Sequence, residues 1–295
     1  MAYPEDLKAH LASGTTTLAR AWRVVRRDGV ALGFTDHDCA LSFEGLGFAP
    51  ESGMTARALL QATGLSVDNT EGYGALRAEA ITEADLLAGR YDGAEVTIWL
   101  VNWADVSQRA VLFRGDIGEV TRGAGAFTAE LRGLSAPLGL EQGRVYHPRC
   151  AAVLGDRHCR FNLNRDGYGL TTTVAGVEGD AVRIAHGQGF EDRWFEKGRM
   201  VVQSGAAAGL VGVVKNDRLR ADGARLVEPW AGFGAPLEVG DALRLEPGCD
   251  KRAETCRLKF DNIANFRGFP HIPGEDWLVS YPVESGTNDG GSLFR

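Results

Sequence analysis

Apolar and polar positions alternate along much of this 295-residue chain, and that alternation predicts strands far more often than helices. Residues 15–27 (TTTLARAWRVVRR) alternate around β-branched positions, Asp28-Gly29 follows, and VALGFTDHD returns. An Asp-Gly step between two such runs predicts a hairpin. Residues 94–103, 109–121 and 126–133 are three more strand candidates, separated by turn signals. After Tyr168 the texture is strongly β, in short runs broken by Glu-Gly-Asp, Asn-Asp and Ala-Asp-Gly turns. A small barrel over roughly 165–246 is the simplest arrangement of those runs. Helical signals are fewer. Residues 4–12 carry an early proline and acids in the first turn. Residues 53–64 and 81–90 read as helices, the second with Thr82 three residues before Asp85 in a capping-box pattern. The stretch between them, LSVDNTEGYGALR, reads as loop, and 134–140 as a short helix. The expected fold is mainly β with a few helices (α+β). It comprises two β-barrel-like domains, 1–164 and 165–295, the second ending in a cysteine-bearing segment.

Composition narrows the function classes. Apolar residues make up 44 % and charged residues 24 %, ordinary values for a globular chain. No apolar run approaches the ~20 residues of a membrane span. The net charge of −7 argues against a nucleic-acid-binding surface, which needs a basic patch. No G-x-S-x-G elbow, H-E-x-x-H or Walker loop is present, and the glycine-rich stretch Gly205–Gly212 lacks the Lys-Ser/Thr of a phosphate loop. No catalytic residues are predicted. Asp36, His37 and Asp38 read as a strand end or turn, and Trp99 and Trp103 as core or rim packing.

The cysteines change the picture. Four of the five come as two pairs, Cys150 and Cys159 in HPRCAAVLGDRHCRFNL, then Cys249 and Cys256 in PGCDKRAETCRLKFDNIANFRGFPHIPG. A buried structural cysteine usually sits in an apolar run. These sit in polar sequence beside Arg149, Arg157, Arg160, Lys251, Arg252 and Arg257, and nearby positive charge favours the ligating thiolate. Seven residues of ideal helix span ~10.5 Å, so Cys249 and Cys256 need a turn between them to share one small site. Zinc ligand pairs usually lie about two to four residues apart. The gaps here are eight and six residues, which suit an iron–sulfur cluster better, because each thiolate then binds a different iron. Zinc and plain thiols or disulfides remain as alternatives. No signal peptide is visible, so an oxidising compartment is not indicated. His147 and His158 flank the first pair as further candidate ligands. Phe260, Phe266 and Phe269 are placed to cover the site and exclude water. His271 reads as structural, and Ser285–Arg295 as a flexible tail or one ordered by a partner.

The segment GCDKRAETCRLKFDNIANFRGFPHIPG resembles the C-terminal signature of a family of conserved phage tail proteins, and VALGFTDHDCALSFEG resembles the N-terminal signature of the same family. That family includes baseplate hub proteins of siphophage-like tails and of gene transfer agents. It is similar in role to the lambda-like tail-tip protein L, whose C-terminal region binds a [4Fe–4S] cluster. The resemblance implies that Cys150, Cys159, Cys249 and Cys256 are the cluster ligands, with zinc the alternative. It implies no ligand role for Cys39. It further implies a non-enzymatic hub in the particle's tail baseplate, synthesised in a bacterial cytoplasm. Such hubs form homotrimers of tail-hub-type barrels. They join a hexameric distal tail protein to a tip or fibre protein, with a tail-associated peptidase as a further neighbour. DNA would pass through the channel without specific binding, as an acidic lumen allows. The competing expectation is a soluble iron–sulfur or zinc protein with a redox or regulatory role.

Overall fold

A computed structural model describes residues 3–50, 69–72, 81–123, 126–139, 143–185, 187 and 189–272. The helix expected over 53–64 and the tail Ser285–Arg295 lie outside these residues. The chain forms two compact units, Met1–Glu141 and Gln142–Arg295.

The first unit opens with α1 (Glu5–Ala12), whose Leu7 is fully buried. The Asp28-Gly29 step then joins β1 (Leu18–Val25) to β2 (Ala31–Thr35), as its sequence predicts. Gly29 turns there at φ 87°, a conformation that glycine adopts without strain. A hairpin that the alternation did not reveal follows, β3 (Leu41–Phe43) and β4 (Leu46–Phe48). Its two turn residues, Glu44 and Gly45, both take positive φ, the requirement of a tight hairpin turn. Another strand, β5 (Asn69–Gly72), runs within the stretch expected to be loop. Next come α2 (Glu83–Leu87), β6 (Glu95–Asn102), β7 (Arg109–Gly123) and β8 (Ala126–Gly133). Thr82 caps α2 as expected, its hydroxyl accepting the Asp85 N–H at 3.1 Å. Six of these strands make one antiparallel sheet in the order β2-β1-β6-β7-β8-β5.

That sheet is packed on both faces. Trp22, Val24, Val96, Ile98 and Phe113 lie in one apolar cluster. Ala21, Trp99 and Val101 lie in another, beneath Phe43 and Phe48 of the β3–β4 hairpin. Double-sided burial is why β6 reads as a continuous apolar run, Val96 to Val101 broken only by Thr97, instead of alternating. Trp99 is therefore core. Trp103 is 41 % exposed and stacks on His37, with ring centroids 4.9 Å apart.

The second unit contains a closed antiparallel barrel. Its strands are β9 (Leu170–Glu178), β10 (Ala181–Ile184), β11 (Arg199–Val202), β12 (Val211–Leu219), β13 (Arg225–Pro229) and β14 (Ala242–Leu245), in the order β10-β13-β12-β11-β14-β9. Closure leaves no free edge and matches the span the sequence predicts. Val174, Ile184, Phe195, Met200, Val227 and Leu243 fill the interior. One ion pair is fully buried beside them: Arg225 Nη1 donates to both carboxylate oxygens of Asp217 at 2.6 Å. Arg225 also donates to the carbonyls of Gly187, Phe190 and Glu191, and Asp217 accepts the Phe195 N–H. The pair thus pins the loop before β11 to the barrel, and burial pushes the Asp217 carboxyl up against the pull of these donors. The chain leaves β14 into α3 (Ala253–Leu258), the element that carries Cys256.

Candidate metal centre

All four paired cysteines fall in the second unit and line one small cavity, together with Phe260, Phe266, Lys251 and Asn262. Cys159 and Cys256 are buried, Cys150 and Cys249 half-buried, and all four are free thiols in this structure.

Each cysteine is placed by a distinct local device. Cys249 leaves the barrel directly after Gly248, whose N–H donates to the Trp194 carbonyl at 2.9 Å. A Cβ at 248 would stand 1.7 Å from the Glu196 carbonyl oxygen, so only glycine allows this approach. The turn required between Cys249 and Cys256 is made by Asp250 and Lys251. Asp250 Oδ1 accepts the Arg252 N–H at 3.0 Å, and Lys251 takes φ 68°. Arg252 then starts α3, which presents Cys256 on its buried side. Cys150 is tied across to this turn, its N–H donating to the Lys251 carbonyl at 2.8 Å. Cys159 ends a loop organised by Asp156, whose carboxylate accepts the backbone N–H groups of Val153, His158 and Cys159. Those bonds, that of Cys159 foremost, hold the Asp156 carboxyl below its usual range.

Two N–H groups point at sulfur. Asn262 Nδ2 lies 3.4 Å from Cys159 Sγ and also donates to the Cys159 carbonyl at 2.7 Å. The Arg267 N–H lies 3.3 Å from Cys150 Sγ. Asn265 in turn donates to the Asn262 side-chain oxygen, fixing which way that amide faces. Donors aimed at sulfur favour thiolate and tune what it binds. Arg160, Lys251 and Asp261 all hold positive φ within two residues of a cysteine or of Asn262. Such strained positions concentrate where a site must be held in shape.

The electrostatics of the four thiols are coupled. Burial, then the neighbouring Cys150, Cys249 and Cys159, pushes Cys256 up to about 11. Burial also raises Cys249, against the pull of the Lys251 N–H and charge. Without a cation the site resists carrying several thiolates; a bound cation inverts that preference. Among the described residues, His37, Asp38 and Cys39 also bring their ligand atoms within 4.8 Å of one another, at an exposed turn of the first unit.

The structure separates the other candidates. Phe260 is buried and Phe266 half-buried, and both line the cavity as expected. Phe269 does not: it is 41 % exposed and packs on Tyr146 at 4.7 Å. Neither His147 nor His158 lines the thiol cavity. His147 Nδ1 accepts the Arg149 N–H, and its carbonyl accepts the Phe269 N–H. His271 is exposed. His37 contacts its neighbour Asp38 at 2.9 Å at the surface of the first unit, and Cys39 is exposed. Sequence reasoning missed Asp156, Asn262 and Asn265. An Asp three residues before a cysteine is a capping signal that could have marked the first.

Comparison with known proteins gives the chain its context. The family described as "Baseplate hub protein, N-terminal attachment domain" matches residues 4–162. The chain belongs to the baseplate hub family. A second family, "Phage conserved hypothetical protein BR0599", matches residues 193–276, which includes Cys249, Cys256 and Asn262. A solved structure described as "Virion of native gene transfer agent (GTA) particle" contains a chain 73 % identical to this hub-family chain. The match covers 99 % of this chain and 100 % of that one, with a TM-score of 0.91. No curated protein matches. Among the described residues no helix is long and apolar enough to cross a membrane.

Proposed function

We propose that this chain is the structural hub of the tail baseplate of a gene-transfer-agent particle. We further propose that Cys150, Cys159, Cys249 and Cys256 hold a [4Fe–4S] cluster in its second unit. The observation that carries the first reading is the 73 % identity, over nearly the whole of both chains, to a component of a gene transfer agent virion. In this reading the hub assembles as a homotrimer. It joins the distal tail ring to the tip or fibre protein around the DNA channel, next to a tail-associated peptidase, and has no catalytic role.

The cluster reading is supported by four free thiols lining one cavity, by N–H donors to two of the sulfurs, and by sequence gaps of eight and six residues, wider than those usual for zinc ligand pairs. Four thiolates complete the coordination of a four-iron cluster, so its contribution would be a cross-link, not an open reactive position. The chain's own residues do the rest. Asp156 and the Lys251 turn fix the two cysteine-bearing segments, Asn262 and the Arg267 N–H steady two sulfurs, and Phe260 and Phe266 keep water out. A link from Cys150 to Cys256 closes a loop of about a hundred residues and restricts the unfolded chain accordingly. Labelling purified particles with an antibody to this chain tests its place: gold is expected at the distal end of the tail. Gold on the head or along the tail shaft contradicts the hub role.

A further inference from the structure

Beside the thiol cavity the second unit holds a larger one, of about 430 Å³. Its walls are two hydrogen-bonded segments, 143–152 and 266–269. The Phe269 N–H donates to the His147 carbonyl at 2.9 Å and the Ala151 N–H to that of Arg267 at 3.2 Å. Much of the lining is apolar, chiefly Val145, Phe266 and Phe269. Its ionisable members among the described residues are Arg144, Arg267 and His158. In a chain of net charge −7, two arginines thus stand at this pocket. Neither the Arg144 nor the Arg267 guanidinium has a partner among the described residues. Tyr146 packs on Phe269 at the rim and is 73 % exposed. Exposed aromatic and arginine side chains around an apolar hollow are the composition of protein–protein hot spots.

We infer that this pocket docks an acidic peptide segment of a different chain in the particle. An apolar side chain sits against Phe266 and Phe269, and an adjacent carboxylate is held by the guanidinium groups of Arg144 and Arg267, whose fork matches a carboxylate. A peptide fits better than a small solute because the Tyr146–Phe269 pair extends the apolar surface beyond the cavity mouth. The inference rests on the reading of the chain as a particle component, and not on what the four thiols hold.

The test is photo-cross-linking in purified particles that carry Tyr146→p-benzoylphenylalanine. The expected result is a cross-link to a different virion protein, at a segment with Asp or Glu beside an apolar residue. Arg144→Glu together with Arg267→Glu lowers the cross-link yield about tenfold or more. An acid→Lys change in the captured segment restores it. Circular dichroism and metal content of the purified double variant establish that it folds. Where that variant fails to enter particles, the acid→Lys change must restore entry, and failure to do so overturns the proposal. So does a cross-link only to a second copy of this chain, to its own residues or to nothing, or a yield indifferent to the charge reversal. Particles that lack the chain altogether overturn instead the reading of it as a particle component.

Discussion

Asn262 shows how much of the centre lies outside its four thiols. Its amide reaches both the carbonyl and the sulfur of Cys159, and Asn265 keeps it turned that way. Removing such a partner leaves the ligand set intact but loosens it. Asn262→Ala is expected to weaken metal retention about tenfold or more, read as faster iron loss to a chelator, with the folded content unchanged. Retention equal to the parent would remove Asn262 from the site. The raised Cys256 thiol gives a pH signature. In the metal-free chain its value moves from 9.0 when unfolded to about 11 when folded. Between those values the unfolded chain has lost a proton that the folded chain keeps, so stability falls as pH rises through that window. Melting of the metal-free chain from pH 8 to 11 should show this fall, and Cys256→Ser should reduce it, leaving the smaller contribution of the raised Cys249 thiol. Metal binding replaces the protons outright, so the loaded chain should not share the trend.

At the scale of elements, the strands with clear alternation or strong turn signals were legible in the sequence. The Asp28-Gly29 hairpin and the runs after Tyr168 fold as their patterns predict. The β3–β4 hairpin escaped because its turn is Glu44-Gly45, without the Asn or Asp that usually marks such a turn. β5 escaped because Asn69–Gly72 is a polar strand whose order comes from pairing with β8, not from its own pattern. The two cysteine pairs stood out as unusual residue types in polar sequence, and the fold gathers all four around one cavity. The devices that place them were not legible, because Asp156 and Asn262 are ordinary polar residues until the fold brings them to Cys159. Nor could any pattern reveal the Asp217–Arg225 pair, which depends on two barrel strands closing over it. Arg225→Met leaves the Asp217 carboxyl buried and stripped of its main partner. Urea unfolding should show a loss of about 3–5 kcal/mol. A loss under about 1 kcal/mol would mean that the pair is dispensable to the barrel.

At the scale of the whole molecule, the hub-family match and the similarity to a gene transfer agent chain place the two units in one kind of particle protein. In the proposed reading the four cysteines form a staple within the second unit, where all of them lie. That staple depends on what the four thiols hold. Iron, sulfide and zinc analysis of the anaerobically purified chain, with a visible spectrum, tests it most directly. The expected result is about four irons and four sulfides per chain, with a broad absorption band that is lost in Cys256→Ser. One zinc without sulfide, or no metal at all, would contradict it.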